Sequence, residues 1–147
     1  HRQLDGLIYQ PLYEETCYLY CCDRHPLFGE QDEERLRERL QNCRSVQAGI
    51  QSNPEVAMQM VGLAKTATAY YYETRAVMIL SGAYVGYLPE HYAEKWVQEG
   101  KMRKLLPTER CYKLGLAAIT HQFGRLNKPR DFFMRLLQKQ MERNRLG

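Results

Sequence analysis

The segment Tyr13–Cys22 constrains the fold more than any other part of the chain. It is rich in tyrosine, leucine and cysteine, carries little charge, and shows no regular alternation of polar and apolar residues. A β-strand with this pattern is typically covered on both faces, as in a sheet packed between helices. We therefore predict a buried strand here, after a short apolar run at Leu4–Tyr9.

Predicted helices and strands alternate after this strand. A turn is expected first, because Pro26 and Gly29 interrupt the extended run. Alternation of this kind favours a parallel or mixed α/β sheet. The elements expected are a helix over Asp32–Cys43, a strand over Arg44–Ile50, a helix from Pro54 to between Gly62 and Lys65, a strand over Thr66–Tyr72, a helix from Glu73 to Gly82, a strand over Val85–Leu88, a helical turn from Pro89, a strand over Cys111–Thr120 and a final helix to Arg145.

Length and composition bound the class of protein. With 147 residues, 44% of them hydrophobic, the chain can form one ordinary domain, or one domain with parts of a second. No apolar run is long enough for a membrane span, so we expect a soluble protein without a membrane partner. The first residues, His1–Asp5, do not resemble a signal peptide, which predicts a cytoplasmic location.

The net charge of +4 comes mainly from the C-terminal segment after Arg125. Its lysines and arginines alternate with Phe133, Leu136, Leu137 and Met141. This spacing is typical of the solvated face of an amphipathic helix, and we favour that interpretation over a phosphate-binding tail. Aromatic residues elsewhere, Trp96 among them and the run Tyr70–Tyr72, are expected to fill the core rather than to stack on nucleic acid.

The chain has five cysteines, an odd number, and three of them lie in one apolar segment. This favours reduced, buried thiols in a cytosolic protein. The spacing of Cys17, Cys21 and Cys22 with His25 does not suit a tetrahedral zinc site, so no metal is predicted.

Motifs of common enzymes are absent from the sequence. There is no nucleophile elbow, phosphate-binding loop, dinucleotide fingerprint or zinc-protease motif. A nucleophilic pair of Cys22 and His25 would have no third group to orient the imidazole. The sequence therefore predicts a protein that is neither an enzyme nor a cofactor carrier.

Several segments resemble one known family. The run Ile79–Pro89 resembles the helix, glycine, strand and proline element near the end of the second sensor subdomain in LysR-type transcriptional regulators. Tyr20–Phe28 resembles the first strand of that subdomain, with its His-Pro-Leu ending. Segments 91–97 and 100–107 are similar to an extended branch of the family, and Phe132, Phe133 and Leu136 match its C-terminal helix. The resemblance extends from about Leu4 to Gln140.

The resemblance implies an α/β fold of the type II periplasmic-binding-protein kind, with one complete subdomain and remnants of a second. It places a remnant and crossover strand of the first subdomain at 1–13, the second subdomain at 14–107, and a return strand with the C-terminal helix at 108–147. In this family a small-molecule effector binds between the subdomains, and homodimers assemble into tetramers. DNA is read by an N-terminal helix-turn-helix domain, which we expect to be absent from this chain.

Ligands of parallel α/β sheets gather at the carboxyl ends of strands, where helix N-termini present free N–H groups. Three predicted junctions of this kind follow strands here. They supply six candidate ligand-binding residues, namely His25, Gln51, Ser52, Asn53, Glu73 and Thr74.

The middle junction, Gln51 to Asn53, is the strongest candidate for contact with a polar or anionic effector. The resemblance adds that matching positions carry ligand contacts in family members. Each candidate also has a structural alternative: Ser52 or Asn53 as a helix cap, Glu73 as an acid in the first helical turn, and His25 as a turn residue before proline.

The leading interpretation is thus the effector-sensing domain of a LysR-type DNA-binding regulator. One alternative is a periplasmic-type small-molecule binding protein for transport, although the free thiols and the missing signal weigh against it. Another is an interaction fragment that dimerises through the helix around Val56, Met60 and Leu63, or through the C-terminal helix.

Overall fold

The computed structural model describes residues 4–49, 53–121 and 128–145. The chain divides into two compact units: a larger unit of Thr16–Lys113, and a smaller unit of His1–Glu15 with Leu114–Gly147. The strands are β1 (Leu7–Cys22), β2 (Arg44–Gln47), β3 (Ala64–Thr68), β4 (Val85–Pro89), β5 (Met102–Lys104) and β6 (Cys111–His121). The helices are α1 (Glu33–Leu40), α2 (Pro54–Gln59), α3 (Tyr72–Leu80), α4 (Glu90–Gln98) and α5 (Lys128–Arg145).

The strands form one mixed sheet. Five of them follow the order β3-β2-β4-β1-β5, and β6 pairs with β1. β2 is parallel to both β3 and β4, whereas β1 is antiparallel to β4 and to β5. The predicted α/β class is confirmed, in its mixed form.

β1 is a single strand of 16 residues, which joins the end of the apolar run Leu4–Tyr9 to the predicted strand Tyr13–Cys22. Its last residues, Leu19–Cys22, are completely buried because they lie between β4 and β5 inside the larger unit. Tyr13, in the half that belongs to the smaller unit, is 44% exposed. The prediction of a strand covered on both faces therefore holds for only the second half of β1.

The core of the larger unit lies where α3 and α4 pack on the sheet. Its members come from strands and helices alike: Tyr20, Cys22, Val46, Ala69, Ala76, Ile79, Leu88, Ala93 and Met102. Gly86 of β4 lies beneath this cluster. A Cβ at that position would be 2.8 Å from Val46 Cγ1 and 3.1 Å from Ile79 Cδ1, so the strand and helix approach closely only because the residue is glycine.

The helices begin close to the residues predicted from the sequence, but α2 ends earlier than predicted. Asp32 caps α1 by accepting hydrogen bonds from the amides of Glu34 and Arg35. The prediction that the helix after Pro54 extends to Gly62–Lys65 is wrong, since α2 ends at Gln59. Gly62 instead has a φ of +79° in the turn that leads into β3.

The thiols agree with the expectation of reduced cysteines. All five are free; Cys17, Cys21 and Cys22 are buried, and the other two are half-buried. Among the described residues no group of histidine, cysteine, aspartate and glutamate has the arrangement of a metal site. None of the described helices has the length and apolarity needed to cross a membrane.

Replacing Gly86 by alanine should lower the free energy of unfolding by about 1–3 kcal/mol, because the added methyl group overpacks the contact with Val46 and Ile79. Gly29→Ala is a matched control in the same unit, since a Cβ there would meet nothing within 4 Å, and it should stay within about 0.5 kcal/mol of the parent. Urea unfolding followed by circular dichroism measures both. Equal stability of the two variants would contradict the packing described.

Candidate functional site

The carboxyl ends of β2, β3 and β4 lie at one edge of the sheet, because the three strands are parallel. We call this the carboxyl edge. Helices α2, α3 and α4 each begin shortly after one of these strands. Cys17 of the antiparallel β1 pairs with Pro89 at the end of β4, so β1 enters the larger unit at the same edge. The free N–H groups of three helix starts therefore collect there.

Asn53 begins α2 at this edge. Its side-chain oxygen accepts a hydrogen bond of 2.9 Å from the amide of Glu55, and Pro54 occupies the first helical position. This is the geometry of a helix cap, which fixes where the helix starts. Gln51 and Ser52, the other candidates of this junction, lie outside the described residues.

Glu73 and Thr74 lie in the first turn of α3, and both are exposed. The residue at the cap position, Tyr71, makes no side-chain hydrogen bond to the helix. The N-terminal amides of α3 are thus not satisfied by a capping side chain, and Glu73 is the acid that interacts favourably with this helix end. Both residues are at the carboxyl edge, together with Asn53.

His25 is at the opposite edge of the sheet, because it follows the end of the antiparallel strand β1. It is buried, and its Nδ1 accepts a hydrogen bond of 3.2 Å from the amide of Leu27. Burial, with a further contribution from Arg39, lowers the pKa of the imidazole, so the ring is neutral in its role as acceptor. The structure does not bring His25 together with the other candidates.

Cys22 and His25 do not form a nucleophilic pair. The Cys22 thiol lies 3.7 Å from the carbonyl oxygen of Leu80, and the His25 Nδ1 is engaged by its own turn. The arrangement is that of a buried thiol beside a structural imidazole.

Arg75 is a residue of the carboxyl edge that the sequence analysis did not single out. Its side chain is 5% exposed, and one terminal nitrogen donates a hydrogen bond of 3.1 Å to the carbonyl oxygen of Tyr87. That carbonyl lies one residue beyond Gly86, the last residue of β4 that pairs with β2. The guanidinium lies 4.6 Å from the ring centroid of Tyr72.

The guanidinium of Arg75 has no carboxylate partner within the part of the chain that the structure describes, and its Nε is buried without a hydrogen-bond acceptor. A buried cation normally has a counter-charge, because desolvation is costly. The helical spacing of the sequence indicates this burial. Arg75 shares the buried face of α3 with Ala76 and Ile79, so the arginine occupies a core-facing position.

The loops that follow β2 and β3 touch each other. A Cβ on Gly49 would lie 2.1 Å from the ring of Tyr70, which means that this ring rests directly on the glycine backbone. The expectation that these tyrosines fill the core is wrong for Tyr70 and Tyr71, which are 68% and 72% exposed. Tyr72 and Trp96 are half-buried, and Tyr72 stacks obliquely on Tyr92 with 5.9 Å between centroids.

Together these groups make the carboxyl edge suited to binding a negatively charged group. It offers a buried guanidinium, a buried N–H of that guanidinium with no acceptor, and the uncapped start of α3. The aromatic rings of Tyr70 and Tyr71 supply apolar surface beside these donors.

Comparison with known proteins identifies the same architecture. Residues 1–142 match the family described as LysR substrate binding domain. The chain is 34% identical over 131 residues to the HTH-type transcriptional activator BauR of Pseudomonas aeruginosa, covering 89% of this chain and 43% of that protein. It therefore spans less than half the length of this curated relative.

Solved structures of low sequence identity share the fold. The effector domain of the transcriptional regulator AmpR of Pseudomonas aeruginosa superposes with a TM-score of 0.71 at 14% identity, over 99% of this chain and 72% of that one. The bromide-bound regulatory domain of HypT from Salmonella typhimurium gives a TM-score of 0.72 at 13% identity, over 95% and 67%. The predicted type II periplasmic-binding-protein-like fold is confirmed.

Lowering the pH below the ordinary imidazole pKa of about 6.5 should reduce the free energy of unfolding. His25 takes up a proton in the unfolded chain, whereas burial and Arg39 keep it neutral in the fold, so the unfolded state binds more protons. Above that pH both states are neutral and the effect vanishes. His25→Asn, which can still accept the Leu27 amide, should show a smaller fall in its urea midpoint on acidification. An unchanged pH slope in this variant would refute the role assigned to His25.

Proposed function

Because this chain belongs to the LysR substrate-binding domain family, we propose that it is the effector-sensing part of a transcriptional regulator and binds a small anionic molecule at the carboxyl edge. The family match over residues 1–142 supports the regulatory role. The burial of Arg75 without a counter-charge among the described residues supports the anionic effector.

One of the proposed contacts neutralises the charge of the effector, and the others orient it. Arg75 pairs with a carboxylate of the effector, which must displace the Tyr72 ring from the guanidinium to reach it. The uncapped amides of α3 and the Thr74 hydroxyl bind the remaining acceptor atoms. Gln51, Ser52 and Asn53 are proposed as further effector contacts from the junction that precedes α2, and Glu73 selects against effectors with a second negative charge. We assign His25 to the turn and not to the site.

The larger unit is proposed to be the second sensor subdomain of the regulator. The smaller unit then supplies the crossover strands and the C-terminal helix of the first subdomain. In this scheme DNA is contacted through a separate helix-turn-helix domain, the protein acts in the cytoplasm as a homo-oligomer, and it catalyses no reaction. The relative BauR, an HTH-type activator, favours this over the alternative of a transport protein of the same fold.

Replacing Arg75 by glutamine should weaken binding of a carboxylate effector by about tenfold or more, because a charge-assisted hydrogen bond is lost in a buried site. A panel of aliphatic carboxylates and amino acids is titrated calorimetrically into the chain, and the tightest ligand is retested on variants. Arg44→Gln is the matched control, since Arg44 also lies 4.6 Å from a tyrosine ring, that of Tyr84, but it is exposed and at the start of β2. Undiminished affinity in Arg75→Gln would contradict the proposed site.

The regulatory role is tested separately in the full-length protein that carries this segment. DNA binding and reporter transcription are measured with and without the ligand found above, in the parent and in Arg75→Gln. We expect the ligand to change promoter occupancy or transcription in the parent alone. A protein that binds the ligand without any change in either readout would belong to the transport class.

A further inference from the structure

A cavity of about 470 Å³ lies beneath α4, at the end of the sheet formed by β1 and β5. Its size is within the range of small-molecule sites in proteins. We call it the α4 cavity; it is lined by Tyr20, Glu90, His91, Glu94, Val97 and Lys104. Glu90 and His91 lie at the start of α4, but none of the lining residues belongs to α2 or α3, which carry the candidate effector contacts.

Tyr20 is the buried polar group of this cavity. The residue is completely buried, yet its hydroxyl has no hydrogen-bond partner among the residues that the structure describes. Burial, and secondarily the charge of Glu90, raise the pKa of this phenol, so it stays protonated and retains both a donor and acceptor lone pairs. Buried hydroxyl groups are rarely left without partners, and this one lines a space large enough to hold a ligand.

Two carboxylates face the same space. Glu90 and Glu94 are four residues apart and therefore lie on one face of α4. Glu90 is neutralised by Lys104, whose Nζ is 2.5 Å away and also lies 4.0 Å from the ring centroid of Tyr18. These two contacts hold the Lys104 side chain beside Glu90.

Glu94 is different, because no cation contacts it in the described part of the chain. Its neighbour is the neutral amide of Gln98, which donates a hydrogen bond of 3.1 Å. Glu90, Glu94 and Lys104 together leave one uncompensated negative charge at the cavity. An anion would be repelled there, whereas a cation with N–H donors would be attracted.

We propose that the α4 cavity is a second small-molecule site, which takes an aliphatic organic ammonium ion. The ammonium group donates hydrogen bonds to the Glu94 carboxylate and to the Tyr20 hydroxyl oxygen, and its alkyl chain lies against Val97. The charge of the preferred ligand is therefore opposite to that proposed for the carboxyl edge.

The test is calorimetric titration of the chain with n-butylamine, 1,4-diaminobutane and, as the anionic counterpart, butyrate. We expect saturable binding of at least one amine; any butyrate binding should take place at the carboxyl edge, so Arg75→Gln should weaken it and Glu94→Gln should not. Glu94→Gln and Tyr20→Phe should each weaken amine binding about tenfold, as expected for loss of a buried or charged hydrogen bond. Glu99→Gln is the matched control, since Glu99 is an exposed glutamate at the end of α4 paired with Lys101, and its affinity should stay within about twofold of the parent.

The variant Tyr20→Phe also distinguishes a ligand-binding role of the Tyr20 hydroxyl from a structural role. Because the hydroxyl has no partner in the fold, its removal should leave the thermal midpoint of the unliganded chain unchanged or raised. The proposal is overturned if neither amine binds at millimolar concentration, if Glu94→Gln weakens butyrate binding as much as amine binding, or if Glu94→Gln and Tyr20→Phe both leave the affinity for the amines unchanged. A large fall in the thermal midpoint of Tyr20→Phe would likewise overturn the ligand-binding role proposed for the Tyr20 hydroxyl.

Discussion

The antiparallel pairing of β1 with β4 is the interaction on which the rest of the larger unit depends. The register that places Cys17 opposite Pro89 and Tyr20 opposite Gly86 makes β1 the strand that joins the parallel strands to β5. It also decides which loops share an edge. The turn at His25 is directed away from the helix starts, and the point where the chain enters the unit is directed toward them. The separation of the turn at His25 from the proposed ligand-binding edge follows from this one pairing.

Elements with strong local signals could be predicted from the sequence, and those decided by tertiary contacts could not. The caps at Asp32 and Asn53 define helix starts through short-range hydrogen bonds, so their side chains are sufficient evidence. The direction of β1 depends on its partner strands, which no local pattern specifies. The exposure of Tyr70 similarly depends on a contact with Gly49, about twenty residues earlier in the chain.

The place of the proposed site could be predicted from the sequence, but its chemistry could not. Strand-to-helix junctions place Asn53, Glu73 and Thr74 at helix starts, whereas His25 lies at the opposite edge because β1 is antiparallel to β4. Arg75 was not predicted as a site residue, because a charged residue in the first turn of a helix is usually solvated. Its burial is unfavourable by itself, and the Tyr87 carbonyl and the Tyr72 ring compensate for only part of its lost hydration. Pairing with an anion would offset part of the remaining cost, which is why we propose one there.

The outermost strand β5 has a consequence for how copies of this protein can associate. It is only three residues long, and it carries two basic residues, Arg103 and Lys104. Arg103 also binds the carbonyl oxygens of Phe28 and Glu30, so a loop is fastened beside the strand. Short, charged and partly covered edge strands resist the addition of a strand from another molecule. Growth of the sheet across molecules is therefore disfavoured at this end, which leaves β3 as the edge at which a strand from another molecule could add to the larger unit.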